Sequence, residues 1–401
     1  MNRTLSPAGR AVALLAIALA VFGGLTAAAR GEQLTPDQAA AMMLDSARRA
    51  YNEQKCDFAA ERFREFLKTY GGHKDAAWAQ FGLGLALLEL PQKDYRAAAE
   101  ALRPAAGRGD FPERALALYH LGAALRGIGY QELAEAEAKP NEAAAHRDAA
   151  RQQFTQAAAH FAQAAEAFAA RAKATPDAAA GELAWAARAR CDQCEMLLRA
   201  DKFKEAADLA TAVLADAAQA KGPCGEAATY YLGHARFALK DYLEAGRALS
   251  RLAPFKQDFG GHARYLLART HHLSGERPEA LAQYQAVLAD YEARKKAAQA
   301  ALANPQALTA AEREFLQALV ARPPDYLDRA AFYGALVLSE EGRFADAVTQ
   351  LAAMAQQYPK SPLLPEAQLR RGYCQMQLRD YPKAIADLQL LTQNPELADR
   401  A

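Results

Sequence analysis

An excess of charge of either sign is the first thing missing from this chain: 48 Lys and Arg stand against 47 Asp and Glu, a formal net charge of +1 over 401 residues. Such a balance supplies no field that would draw in nucleic acid or an acidic membrane surface. β-Branched residues are sparse beside abundant alanine, and no run shows sustained apolar and polar alternation, which excludes a β-rich fold and favours closely packed helices. Cysteine is limited to 5, an odd number, so a framework of paired disulfides would leave at least one thiol over. No nucleophile elbow, phosphate loop, H-E-x-x-H pattern or dinucleotide fingerprint is present. An enzymatic reading therefore has no residue to rest on.

What is present is repetition. In Tyr230 to Leu252, Leu232-Gly233 is followed nine residues after the glycine by Tyr242, then by Ala245, Leu249 and Leu252, with Lys240-Asp241 between the two halves. Small residues at Gly233 and Ala245 allow two antiparallel helices to approach closely, and Leu249 and Leu252 share one helix face. The same frame runs from Gly372 to Tyr381, Ala384, Leu388 and Leu391. It returns from Ala335 to Phe344, Ala347, Leu351 and Met354, from Ala268 to Arg277, Ala280, Tyr284 and Val287, and from Cys194 to Phe203, Ala206, Ala210 and Val213. These units resemble the tetratricopeptide repeat over most of the chain after about residue 38. The resemblance implies an all-α fold: a right-handed superhelical solenoid of antiparallel helix pairs.

Residues 1–29 read as an export signal. Arg3 and Arg10 precede the apolar run Ala11 to Phe22, and Ala27-Ala28-Ala29 forms a small-residue site that would leave Arg30 as the new terminus. The alternative is an uncleaved anchor, because residues 11–29 carry no charge and just reach spanning length. No cysteine lies near the site, so the bacterial lipoprotein pattern is absent.

Residues 30–401 then read as one array of about eight helix pairs plus one degenerate pair. Pro104 falls inside a second helix and predicts a kink or an early end. Residues 129–151 read either as an insertion or as two lengthened helices. The 67 residues from Arg277 to Phe344 approximate two periods of about 34, with a helix to about Leu302, a break at Asn304-Pro305 and a helix from about Thr309 to Ala321. After Asn394-Pro395 only ELADRA remains, too little to cover the apolar face of the last repeat. Either the natural chain continues or a partner covers that face.

Cys191-x-x-Cys194 has the spacing of a redox couple or half a zinc site, but no second pair of ligands accompanies it. The repeat frame places Cys194 at the small crossing position, as a buried apolar residue. A disulfide from Cys191 or Cys194 to Cys224 stays open at this level. His271 and His272 diverge by about 100° on a helix and cannot both address one ion. No metal site and no cofactor is expected.

In the tetratricopeptide family, first helices line a concave groove through the residues six and three before, and one and four after, the small crossing residue. Carried onto this chain, that rule selects Tyr230, His234 and Phe237, then His262, Tyr265, Arg269 and His272, with Phe332 following. It also selects Leu369, Tyr373 and Met376 near the end, and Trp78, Phe81 and Tyr119 near the start. Exposed rings beside Arg and His are the composition of a binding surface; the alternative is that several of them, Phe81, Tyr230 and Phe332 above all, are core. The expectation is a non-enzymatic scaffold of the bacterial cell envelope, periplasmic, that binds another protein or an extended peptide, with no nucleic acid and no stable membrane insertion after cleavage. The competing expectation is the docking arm of a larger polypeptide with a catalytic domain beyond residue 401.

Overall fold

The computed structural model describes residues 34–392, so the signal segment and the last residues of the chain lie outside it. The chain divides after Lys202 into two compact units. The described residues contain helices and turns, with no strand among them.

The first unit holds α1 (Pro36–Asn52), α2 (Cys56–Tyr70), α3 (Ala76–Glu89), α4 (Tyr95–Gly107), α5 (Arg114–Ala138), α6 (Ala143–Ala174) and α7 (Ala179–Arg199). Thr35 starts α1 with a reciprocal cap: its Oγ1 accepts from Gln38 N at 3.3 Å while its own N–H donates to Gln38 Oε1 at 2.9 Å, which satisfies two of the donors a helix start leaves open. Successive helices pair through aromatic knobs in glycine-lined gaps. A Cβ added at Gly82 would lie 2.3 Å from the Phe63 ring, and one at Gly129 2.5 Å from Phe154. Helix α4 runs on past Pro104 to Gly107. Residues 129–151 belong to the extensions of α5 (25 residues) and α6 (32 residues), joined by the turn at Pro140–Glu142. Phe154, Phe161 and Phe168, seven apart, are all fully buried along α6; two helical turns separate each from the next, so one face of the long helix is continuously packed.

The second unit holds α8 (Phe203–Ala215), the short α9 (Ala217–Lys221), α10 (Pro223–Ala238), α11 (Tyr242–Ser250), α12 (Gly260–Leu273), α13 (Arg277–Leu302), α14 (Ala310–Ala321), α15 (Tyr326–Glu340), α16 (Phe344–Gln357), α17 (Leu364–Gln377) and α18 (Tyr381–Gln389). The crossing glycines sit where helices touch: a Cβ at Gly233 would lie 2.6 Å from Leu249 Cγ, and one at Gly372 2.8 Å from Leu388 Cγ. The degenerate stretch is resolved into a long α13 of 26 residues and α14 beyond it. Tyr291 of α13 donates from its hydroxyl to Leu319 O of α14 at 3.1 Å.

Six of the turns between paired helices show the repeat in backbone terms. Seven residues after the crossing position stand Gln54, Asp201, Lys240, Gly275, Gly342 and Arg379, and all six have φ between 58° and 82°. This left-handed residue reverses the chain between helices, and glycine takes it at least cost. Six turns of the same geometry in one register make this an all-α helical repeat fold.

Candidate functional site

The second unit gathers most of the expected groove residues into one run of rings. Helix α10 presents Tyr230 and His234, and α12 presents His262, Tyr265, Arg269 and His272. Tyr230 stacks on Phe259 with centroids 4.7 Å apart and planes at 18°, and its hydroxyl is hydrogen-bonded to His262 Nδ1 at 2.8 Å. His234 lies 5.4 Å from His262. His262 in turn lies 5.5 Å from Tyr326, the first residue of α15.

Arginine and carboxylate fix the other end. The Arg269 guanidinium lies 3.6 Å from the centroid of Tyr333, a cation over the negative face of a ring. Its Nη1 donates to His272 Nδ1 at 3.3 Å. Because guanidinium only donates, Nδ1 must accept, so the imidazole is neutral with its proton on Nε2. That nitrogen donates to Glu340 Oε2 at 3.3 Å, which also accepts from Arg277 Nε at 3.1 Å. Burial lowers the His272 pKa, opposed by Glu340, in keeping with the neutral ring. Neighbouring His271 pairs instead with Glu276 at 2.5 Å, so the adjacent histidines address different carboxylates.

Several expected groove positions are core. Tyr265 is only 6% exposed and packs with Leu266, Leu267, Tyr284 and Leu327. Tyr326 lies stacked on it at 5.9 Å and 25°, and burial pushes the Tyr265 phenol up to about 12. Phe81, Tyr119, Phe332 and Leu369 are likewise buried. Trp78 is half-buried with its edge against Phe111, at 5.0 Å. Phe237 is half-buried and turns to Tyr242, 5.8 Å away. Tyr373 is exposed but stands apart from the α10–α12 cluster, with the Phe344 ring 6.3 Å away; Met376 is exposed on the same helix.

Tyr326 and Tyr333 belong to the ring surface and fell outside the groove rule. Their signal was a seven-residue spacing on α15, which places both on one face. A second missed cluster lies in the first unit, between α5 and α7. Arg188 Nε donates to Tyr119 Oη at 2.7 Å, and that hydroxyl donates to Asp192 Oδ2 at 2.6 Å. Arg126 Nη1 donates to Asp192 Oδ1 at 3.3 Å and lies 3.8 Å from Glu195, and Tyr130 donates to Glu195 at 2.7 Å. Burial works against the charge on Arg126, and the two carboxylates outweigh it, so its pKa rises. Arg188, Asp192, Glu195 and Arg199, spaced four, three and four, were a legible helix stripe. The network is internally satisfied and joins α5 to α7 through paired buried charges; losing one partner would strand another.

Cys191 and Cys194 are buried on α7, Cys194 at the crossing position. Among the described residues no group of three or more His, Cys, Asp or Glu side chains is placed to hold a metal ion. No helix among them is long and apolar enough to cross a membrane.

The geometry defines a helix-pair repeat protein whose second unit carries a surface of rings and arginine. Neither the protein-family models nor the curated proteins give a match to the chain. Among solved structures, the apo form of RapI is similar at a TM-score of 0.48 and 13% identity, over 86% of this chain and 89% of that one. Yeast Tom70 aligns over 92% and 93% at a TM-score of 0.25 and 13% identity, and the P58(IPK) TPR domain over 90% and 95% at 0.23 and 13%. Likeness this distant adds nothing to the functional reading, which stands on the side chains described above.

Proposed function

We propose that this chain is a non-enzymatic scaffold of the tetratricopeptide kind, exported to a bacterial cell envelope, which binds an extended segment or helix of another protein across α10, α12 and α15. The observation that carries the reading is Arg269. It is half-buried, held over the Tyr333 ring and hydrogen-bonded to His272, with His262 two turns earlier on α12 and Tyr230 and His234 on α10. Arginine and tyrosine held in place before binding lose little freedom on association, which is the character of interface hot spots.

The test is affinity purification of the exported protein, followed by titration of the recovered partner against Tyr230→Ala and Arg269→Ala combined. A loss of ~2 kcal/mol or more of binding is expected if these are hot spots, with near-unchanged helicity. Normal folding and unaltered affinity would refute the site. Terminal sequencing of the recovered protein tests the export proposal, which expects Arg30 first.

A further inference from the structure

The pair α17 and α18 carries polar side chains at frame positions where several other pairs carry apolar ones. The residue before the crossing position is leucine in four earlier units, at Leu83, Leu121, Leu232 and Leu267; here it is Arg371. Three after the crossing position stand the buried Leu87, Leu125, Leu197 and Leu338, and here Gln375, which is no less buried at 6% exposed. Asp387 of α18, also buried, takes the place that Ala248 holds on α11. These three side chains line one cavity of about 310 Å³, together with Val348 and Ala352 of the preceding α16 and Lys383 and Ala386 of α18. Because α16 forms one wall, the cavity belongs to a junction within the array.

Arg371 and Asp387 hold each other. The guanidinium donates through Nε to Asp387 Oδ2 at 2.6 Å and through Nη2 to Oδ1 at 2.5 Å, which leaves Nη1 uncommitted. Gln375 has no such arrangement: its Oε1 is buried without a hydrogen-bond partner among the described residues. Polar residues at the same frame position elsewhere are bonded to the acid eight residues after the crossing position. Arg236 donates to Asp241 at 3.3 Å, and His271 is bonded to Glu276 at 2.5 Å. The acid at that count is here Asp380, and Lys383 takes it at 2.7 Å. A buried amide with its hydrogen bonds unmade is destabilising, and leucine would avoid the cost, as it does in four other units.

We infer that this cavity is a binding site for a free α-amino acid with an aliphatic side chain. Arg371 Nη1 and the Lys383 ammonium are donors for its carboxylate, while Gln375 Oε1 and the Asp387 carboxylate accept from its ammonium. Val348, Ala352 and Ala386 give the aliphatic part an apolar wall. Charges of both signs at one small site match a zwitterion; a carboxylate or an amine alone would meet only half of them. The volume lies at the lower end of the range for small-molecule pockets. The inference rests on the cavity and the frame, and not on the proposed function of α10, α12 and α15.

L-Leucine serves as the probe, titrated calorimetrically against the whole chain beside 4-methylpentanoate, which lacks the ammonium, and 3-methylbutylamine, which lacks the carboxylate. Saturable one-to-one binding of leucine is expected, with each singly charged compound at least tenfold weaker. Gln375→Leu restores the residue that four other units use, so it should fold at least as stably as wild type and bind leucine at least tenfold less tightly. Lys383→Met changes a mostly exposed side chain and should weaken leucine several-fold while leaving 3-methylbutylamine unaltered. The Tyr230→Ala, Arg269→Ala protein should bind leucine as wild type does, which separates this site from the ring surface. Absence of saturable binding would mean that the cavity holds water alone and overturns the inference. Leucine binding that survives both Gln375→Leu and Lys383→Met, or that either singly charged compound equals, overturns it as well.

Discussion

Two glycines in adjacent helices of the second unit should respond to the same substitution with opposite signs. Alanine in place of glycine inside a helix gains about 0.8 to 1 kcal/mol from backbone propensity alone. At Gly246 of α11 the new Cβ meets only Thr270 Cγ2, at 3.5 Å, an ordinary contact. Gly246→Ala should therefore stabilise by roughly 0.5 to 1 kcal/mol. At Gly233 of α10 the Cβ would lie 2.6 Å from Leu249 Cγ and 2.7 Å from Cδ2, and Leu249 is fully buried with nowhere to retreat. Overpacking of this kind costs ~1 to 3 kcal/mol. Subtracting the propensity gain leaves Gly233→Ala less stable than wild type by roughly 0 to 2 kcal/mol. Urea denaturation followed by helical ellipticity reads both changes as shifts of midpoint at constant slope. Should Gly233→Ala raise the midpoint as far as Gly246→Ala does, the close crossing at Gly233 is wrong and the repeat frame loses its steric basis.

Tyr265→Ala should destabilise the second unit by about 3 to 5 kcal/mol, the range for buried aromatic truncation, and a melting profile like wild type would contradict its place in the core. His120 is held neutral by burial, with its pKa lowered from 6.5 to about 4. The unfolded chain therefore binds the extra proton between those values, and stability falls as pH drops from about 6.5 to about 4, by up to ~3 kcal/mol. His120→Phe should flatten that part of the stability profile; an unchanged slope would show that other groups cause it.

The repeat frame was legible because it is local. Gly233 and Leu249, or Gly372 and Leu388, are fixed relative to each other by helix geometry and a short turn, so spacing alone brings them together. The positive-φ residues at Gln54, Lys240 and Arg379 obey the same count, although their side chains give no hint of the conformation. The composition of the ring surface was legible for the same reason: Arg269 and His272 are neighbours on one helix face wherever that helix packs. What covers a residue is not local. Tyr265 and Arg269 stand on one stripe of α12, yet Tyr326 stacks over the first while Tyr333 supports the second and leaves it half open. That outcome depends on a helix more than fifty residues further on, delivered by the long α13 and the turn after α14. The Arg126, Asp192 and Tyr119 network depends likewise on α5 meeting α7 across the whole of α6. Sequence by itself determined the helices, their pairing and the close crossings, because those follow from periodicity. Tertiary structure alone decided which rings became core and which stayed at the surface, because burial is set by the neighbour that arrives and not by the residue that waits for it.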